Sequence, residues 1–154
     1  ADFETPEQAL LWAPIHYGNG FTEIRISSRQ AADGRSSLAI TGGGGTWRGA
    51  EYDAGERDWS KYGQLVLRAY NPHAHPLVLS LRIDDMRKDP SYTERFNKSI
   101  TLTSHWNEIR IPMAEIFAGP HDGKLDLEHV KRLLFILPKD PAQLTIFVDR
   151  IELS

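Results

Sequence analysis

The 154-residue chain contains no cysteine. Disulfides, thiolate metal sites and cysteine nucleophiles are therefore excluded, while the compartment stays open, because exported domains with a full core often lack disulfides. An excess of one charge is missing too: 18 Lys and Arg against 21 Asp and Glu leave a formal net charge of −3. That balance gives no electrostatic footprint for nucleic acid or an anionic membrane. No stretch approaches the run of about 18 apolar residues that a spanning helix needs, so direct membrane insertion is not expected. No signal peptide is legible, and the sequence starts at Ala1 as if already folded, which reads as a mature or excised domain. Internal repeats, low-complexity tracts and linkers are also missing. Residues 1–154 therefore read as a single domain, large enough to bury a core without staples.

What is present is mostly short strands separated by turn signals, the pattern of an all-β sandwich or barrel. Alternation predicts strands over Thr22–Arg29, Ser37–Thr41, Thr46–Tyr52, Gln64–Asn71, Leu77–Asp84, Glu94–Leu102, Trp106–Ile111, Arg132–Leu137 and Leu144–Leu153. Between them lie "AADGRS", "TGGGG", "DAGERDWSKYG", "NPHAHP", "DMRKDPSY" and "LPKDPAQ", rich in residues that turn or end a strand. Helix is sparse. "PMAEIFAG" predicts two turns over Pro112–Ala118, with proline at the start and glycine after the end. "DLEHVKR" predicts a single turn capped by Asp126.

Period two assigns each strand a core face and an opposite face. Leu65, Leu67 and Ala69 are expected to meet Leu79, Leu81, Ile83, Phe96, Ile100, Ile109 and Ile111 between two sheets. The opposite faces carry Val66, Arg68 and Tyr70, then Ser80, Arg82 and Asp84, then Arg95 and Asn97. Planar hydrogen-bonding groups beside a ring suit a polyhydroxylated ligand, whose hydroxyls bond directionally and whose C–H faces stack on aromatics. A plain cross-strand ladder of ion pairs explains the same pattern equally well. Of the four tryptophans, Trp12, Trp59 and Trp106 are expected in the core. Trp47, after the flexible "TGGGG", is expected to point outward.

"DFE", "ADGRSSLAI", "DWSKYGQLVLRAYNP", "LSLRIDD…Y…RFNKSITL…WNEIRIPMAEI" and "LTIFVDRIEL" occur in that order. Together they resemble galactose-binding-like jelly-roll domains, in particular carbohydrate-binding modules attached to polysaccharide-degrading enzymes. Related domains occur on bacterial envelope proteins and in the complex I intermediate-associated family. The resemblance implies an antiparallel β-sandwich with one or two short helices and a structural calcium. Glu4 and Asp149 would supply carboxylates to that ion, with Asp33, Arg35 and Ser36 contributing carbonyls or a side chain. It further implies sugar contacts from Tyr70, Arg82, Asp84, Arg95 and Asn97 on the concave sheet face. Trp47, Tyr52 and Tyr92 would flank them. No row of exposed aromatics lies on any one strand, which argues against a flat crystalline substrate. The arginines admit an acidic sugar through a bidentate fork. A monomeric, non-catalytic module is expected, extracellular or in the periplasm or cell envelope, and the resemblance admits attachment to a catalytic or membrane domain in a parent protein.

The remaining signals carry less. "TGGGGTW" lacks the Gly-Lys-Ser/Thr ending of a phosphate loop. His73 and His75 have zinc-like spacing but no third ligand nearby. "NKS" at Asn97 matches a glycosylation acceptor but falls mid-strand. Asp84, Asp85, Asp89 and Glu94 are close in sequence, yet alternation separates Asp84 from Asp85, and no nucleophile–base pair is fixed. A glycan-active hydrolase or lyase is therefore the third reading. The second is an envelope-associated interaction or structural domain that uses the same face against a protein.

Overall fold

The computed structural model of the chain describes every residue except 16–19, 46, 88 and 141. Among the described residues there are ten strands: β1 (Trp12–Pro14), β2 (Phe21–Ser27), β3 (Ser37–Gly43), β4 (Gly49–Arg57) and β5 (Gln64–Asn71). They continue with β6 (Leu77–Asp85), β7 (Phe96–Leu102), β8 (His105–Pro112), β9 (Val130–Ile136) and β10 (Leu144–Leu153). Two five-stranded sheets result, ordered β1-β4-β9-β6-β7 and β2-β3-β10-β5-β8. Every pairing is antiparallel. The fold is the expected jelly-roll sandwich. The sequence-based strands match except at their ends, and Thr46, where one was expected to begin, lies outside the described residues. β1 was not foreseen, since three residues show no period.

The inward positions form one core. Leu65, Leu67 and Ala69 of β5 meet Leu79, Leu81 and Ile83 of β6, together with Phe96, Ile109 and Ile111. Each fully buried leucine or isoleucine contributes roughly 1.5–3 kcal/mol relative to exposure. One helix, α1 (Met113–Ala118), follows Pro112 and buries Met113 and Ile116 one turn apart. The turn Leu127–His129 is capped as expected, Asp126 accepting the Glu128 N–H. Two further 3₁₀ turns, Pro6–Ala9 and Tyr92–Glu94, were not foreseen.

The termini are held to the sheets. Ala1 and Ile151 exchange backbone hydrogen bonds, and Ser154 does the same with Gln64. Gly49 sits at φ 151, and a Cβ there would lie 1.8 Å from the Phe135 carbonyl oxygen. Only glycine lets β4 approach β9 so closely.

Candidate functional site

Antiparallel register sorts the outward side chains. Arg82 pairs with Asn97 of β7 and with Leu134 of β9, and Ser80 pairs with Ser99 and Ile136. Asp84 pairs with Arg132. Ser80, Arg82, Asn97, Ser99 and Ile136 therefore floor a depression of about 340 Å³ on the outer face of the first sheet. An adjoining hollow is lined by Trp47, Arg82, Arg95 and Arg132.

Asp84 organises this floor. Arg82 donates Nε to Oδ1 and Nη2 to Oδ2, each at 2.9 Å. Arg132 donates Nε to Oδ2 at 2.7 Å, and Arg95 Nε lies 3.8 Å from Oδ1. Burial pushes the Asp84 carboxyl up, but the hydrogen bonds and charges of Arg82 and Arg132 outweigh it and hold it below the ordinary value. Asp84 is only 1% exposed, so it orients guanidiniums instead of meeting a ligand directly. The ladder of ion pairs expected as the alternative is present, with the ions locked together, and a depression stays open above them.

The walls come from loops. Trp47 is 45% exposed and has φ 60, an uncommon conformation for a bulky side chain that costs of order 1–3 kcal/mol. The next residue explains how it is held. Arg48 is fully buried, and its guanidinium donates to the carbonyls of Pro138 and Ala142. The Leu137 N–H also donates to the Arg48 carbonyl at 2.8 Å. One buried arginine thus ties the Trp47 loop to the Pro138–Lys139 wall. Sequence reasoning missed it, because an arginine after a glycine run looks solvated. The opposite wall is Tyr92, 66% exposed, on a turn closed by the Ser91–Glu94 capping box. Asn97 Nδ2 donates to the Tyr92 carbonyl at 3.2 Å, so Asn97 braces this ring.

Three aromatic expectations are corrected. Tyr70 belongs to the second sheet, whose outer face lies on the far side of the sandwich from Arg82. There it stacks on His105 at 5.7 Å and meets Trp106 and Phe147 edge-on. Trp106 is accordingly half-buried on that outer face and not in the core. Tyr52 pairs with Leu133 and Trp12 on the inward side, its ring 5.2 Å from the Trp12 ring. Period two alone does not say which sheet a strand joins, and this misplaced Tyr70. Trp12 and Trp59 are core residues as expected.

The residues expected at a metal are near one another in part. Asp149 is fully buried; its Oδ2 accepts the N–H groups of Ala32 and Asp33, and its Oδ1 that of Arg150. Glu4 Oε1 accepts the N–H groups of Arg35 and Ser36, each at 2.9 Å. Gly34, at φ 65, leaves space for Glu4 where a Cβ would lie 2.5 Å from that oxygen. Burial pushes the Asp149 carboxyl above its ordinary value; the backbone N–H groups oppose this, and the nearby Glu4 charge adds to the rise. Two carboxylates whose charges act on each other, one of them desolvated, would suit a hard divalent cation, although both Asp149 oxygens and Glu4 Oε1 already accept backbone N–H groups. Two details depart from expectation. Arg35 and Ser36 approach Glu4 with N–H groups, and the Asp33 carboxylate pairs with Arg150. Among the described residues, three ligand groups converge only at the exposed Asp126 and Glu128 with the half-buried His129.

Asp85 is engaged by the side chain and N–H of Arg87 and by the Asp126 N–H. Its carboxyl too lies below the ordinary value: burial raises it, and these hydrogen bonds bring it down. A general acid needs the opposite shift. His73 Nε2 accepts the Thr145 N–H at 3.3 Å, a structural use of that ring.

Solved structures share this architecture. A family 11 carbohydrate-binding module from Clostridium thermocellum, in complex with a β-1,3-1,4-mixed-linked tetrasaccharide, superposes with a TM-score of 0.73 at 22% identity, over 99% of this chain and 92% of that one. The family 11 module of a cellulosomal cellulase from the same organism gives 0.72 at 22% identity, over 99% and 90%. An exo-β-agarase gives 0.72 at 13% identity, over 99% of this chain but 24% of its own. No curated protein sequence matches the chain. The model of the carbohydrate-binding domain (family 11) matches residues 1–154, and the chain belongs to that family of non-catalytic sugar-binding modules.

Proposed function

We propose that the chain binds a polysaccharide along the outer face of the first sheet. Trp47 and Tyr92 stack on sugar rings, while Arg82, Asn97 and Arg95 direct hydrogen bonds to it. The observation that carries this is the pair of exposed rings lining one depression whose floor is Arg82, Asn97 and two serines. Affinity is modest, since each directed bond nets only about 0.5–1.5 kcal/mol after water is displaced. The tetrasaccharide complex of the similar Clostridium module makes mixed-linked β-glucan a natural first ligand to assay. Attachment to a catalytic domain and an extracellular location follow the same analogy, the similar module being part of a cellulosomal cellulase. No helix among the described residues is long and apolar enough to cross a membrane.

A calcium ion held by Glu4 and Asp149, with oxygens of the Asp33–Ser36 turn, belongs to this reading as a structural element. It would supply charge neutralisation between two carboxylates and carry no chemistry. Binding is tested on a panel of soluble polysaccharides by affinity electrophoresis, with Trp47→Ala and Asn97→Ala as variants. Retardation by at least one polymer, lost in Trp47→Ala while folding is retained, supports the reading. A folded protein that binds no polymer returns the face to a protein partner.

A further inference from the structure

The geometry points to an anionic glycan, carrying carboxylate or sulfate groups, as the polymer this depression selects; the inference rests on the glycan-binding reading above. The starting point is a mismatch of charge. The chain as a whole is acidic at −3, yet cations crowd this face. Arg82, Arg95 and Arg132 surround one carboxylate, and Lys139 stands on the wall. Glu51, 4.0 Å from Arg132, is the second carboxylate in reach. Lys98 also borders the depression but pairs with Glu115. Asp53, across from Arg132 on β4, lines neither hollow. Four cations therefore meet two carboxylates, and the site carries a positive surplus on an acidic protein.

Both oxygens of Asp84 are already engaged by Arg82 and Arg132, so it is the cations and not this carboxylate that face a ligand. A carboxylate or sulfate ester only accepts, and its planar or tetrahedral oxygens match a guanidinium fork. The side chains of Arg95 and Arg132 are 20% and 22% exposed. That leaves them desolvated enough for the charge to count and still open to contact.

The experiment compares polymers that differ in charge alone. Binding of the full chain is measured by affinity electrophoresis and calorimetry against polygalacturonate, the same polymer with its carboxyls reduced to alcohols, a sulfated galactan, its desulfated form, and neutral mixed-linked β-glucan. Binding to the carboxylated or the sulfated polymer at least about tenfold tighter than to its uncharged partner is expected, and the two arms tell carboxylate from sulfate. Affinity should fall as NaCl rises from about 50 mM to about 500 mM. Arg132→Gln should reduce anionic binding about fivefold or more, and the salt series on the unaltered chain reads the same charge should that variant fail to fold. Equal or tighter binding to the neutral members, without salt dependence, overturns the inference and leaves the glycan reading intact. No binding to any polymer by folded protein overturns both.

Discussion

A single carboxylate, Asp84, takes the forks of Arg82 at 2.9 Å and the Nε of Arg132 at 2.7 Å while Arg95 lies 3.8 Å away. Removing its charge would leave buried guanidiniums facing one another. Breaking a buried ion pair from one side costs about 3–5 kcal/mol. Asp84→Asn is therefore expected to lower unfolding free energy in urea by an amount near the bottom of that range, since the amide oxygen still accepts one bond. The same carboxylate sets an acid limit. Its folded-state pKa lies below the ordinary value, so its stabilisation is complete above the unfolded-state pKa and is lost as pH falls through the folded one. A melting series from neutral pH downward should show stability falling below about pH 4, with a shallower slope in Asp84→Asn. A parallel slope in both proteins would remove Asp84 from the account.

At the level of elements, the sheets were legible because inward positions repeat every two residues. Leu65, Leu67, Leu79, Leu81 and Ile83 sit where alternation puts them. The ends were not legible, for reasons seen at particular residues. β4 runs on to Arg57 past Ala54 and Gly55 through an irregular register with β9, and such a bulge leaves no period to read. Most of the candidate site was also visible: Arg82, Asp84, Arg95, Asn97, Tyr92 and Trp47 converge, whereas Tyr70 and Tyr52 do not. Which strands share a sheet is a matter of long-range pairing, which a single strand's pattern does not encode. The β4–β9 pairing also makes a sharp prediction. In Gly49→Ala the new methyl meets the Phe135 carbonyl, and the strands must separate beside the Trp47 wall. The melting temperature should drop by several degrees, as for a loss of about 2 kcal/mol or more. An unchanged melting curve would mean that β4 tolerates displacement.

On the scale of the whole molecule, the N-terminal segment and the last strand enclose the candidate cation site: Glu4 comes from the segment before β1 and Asp149 from β10. An ion bound there stabilises by mass action. Calcium added to chelator-treated protein is expected to raise the melting temperature, and Asp149→Asn to abolish the increment; identical curves with calcium and with chelator would remove the metal from the account. The sandwich offers two outer faces, and each carries aromatic rings. The first-sheet face has Trp47 and Tyr92 beside the arginine floor, and the second-sheet face has Tyr70 and Trp106. The most direct measurement is a calorimetric titration of one bound polysaccharide into Trp47→Ala with Tyr92→Ala, and separately into Tyr70→Ala with Trp106→Ala. Each lost stacking ring is worth about 1 kcal/mol, so the first pair should weaken binding by more than about tenfold and the second should leave it unchanged. Affinity retained in the first pair and lost in the second would place the ligand on the other sheet and contradict the account.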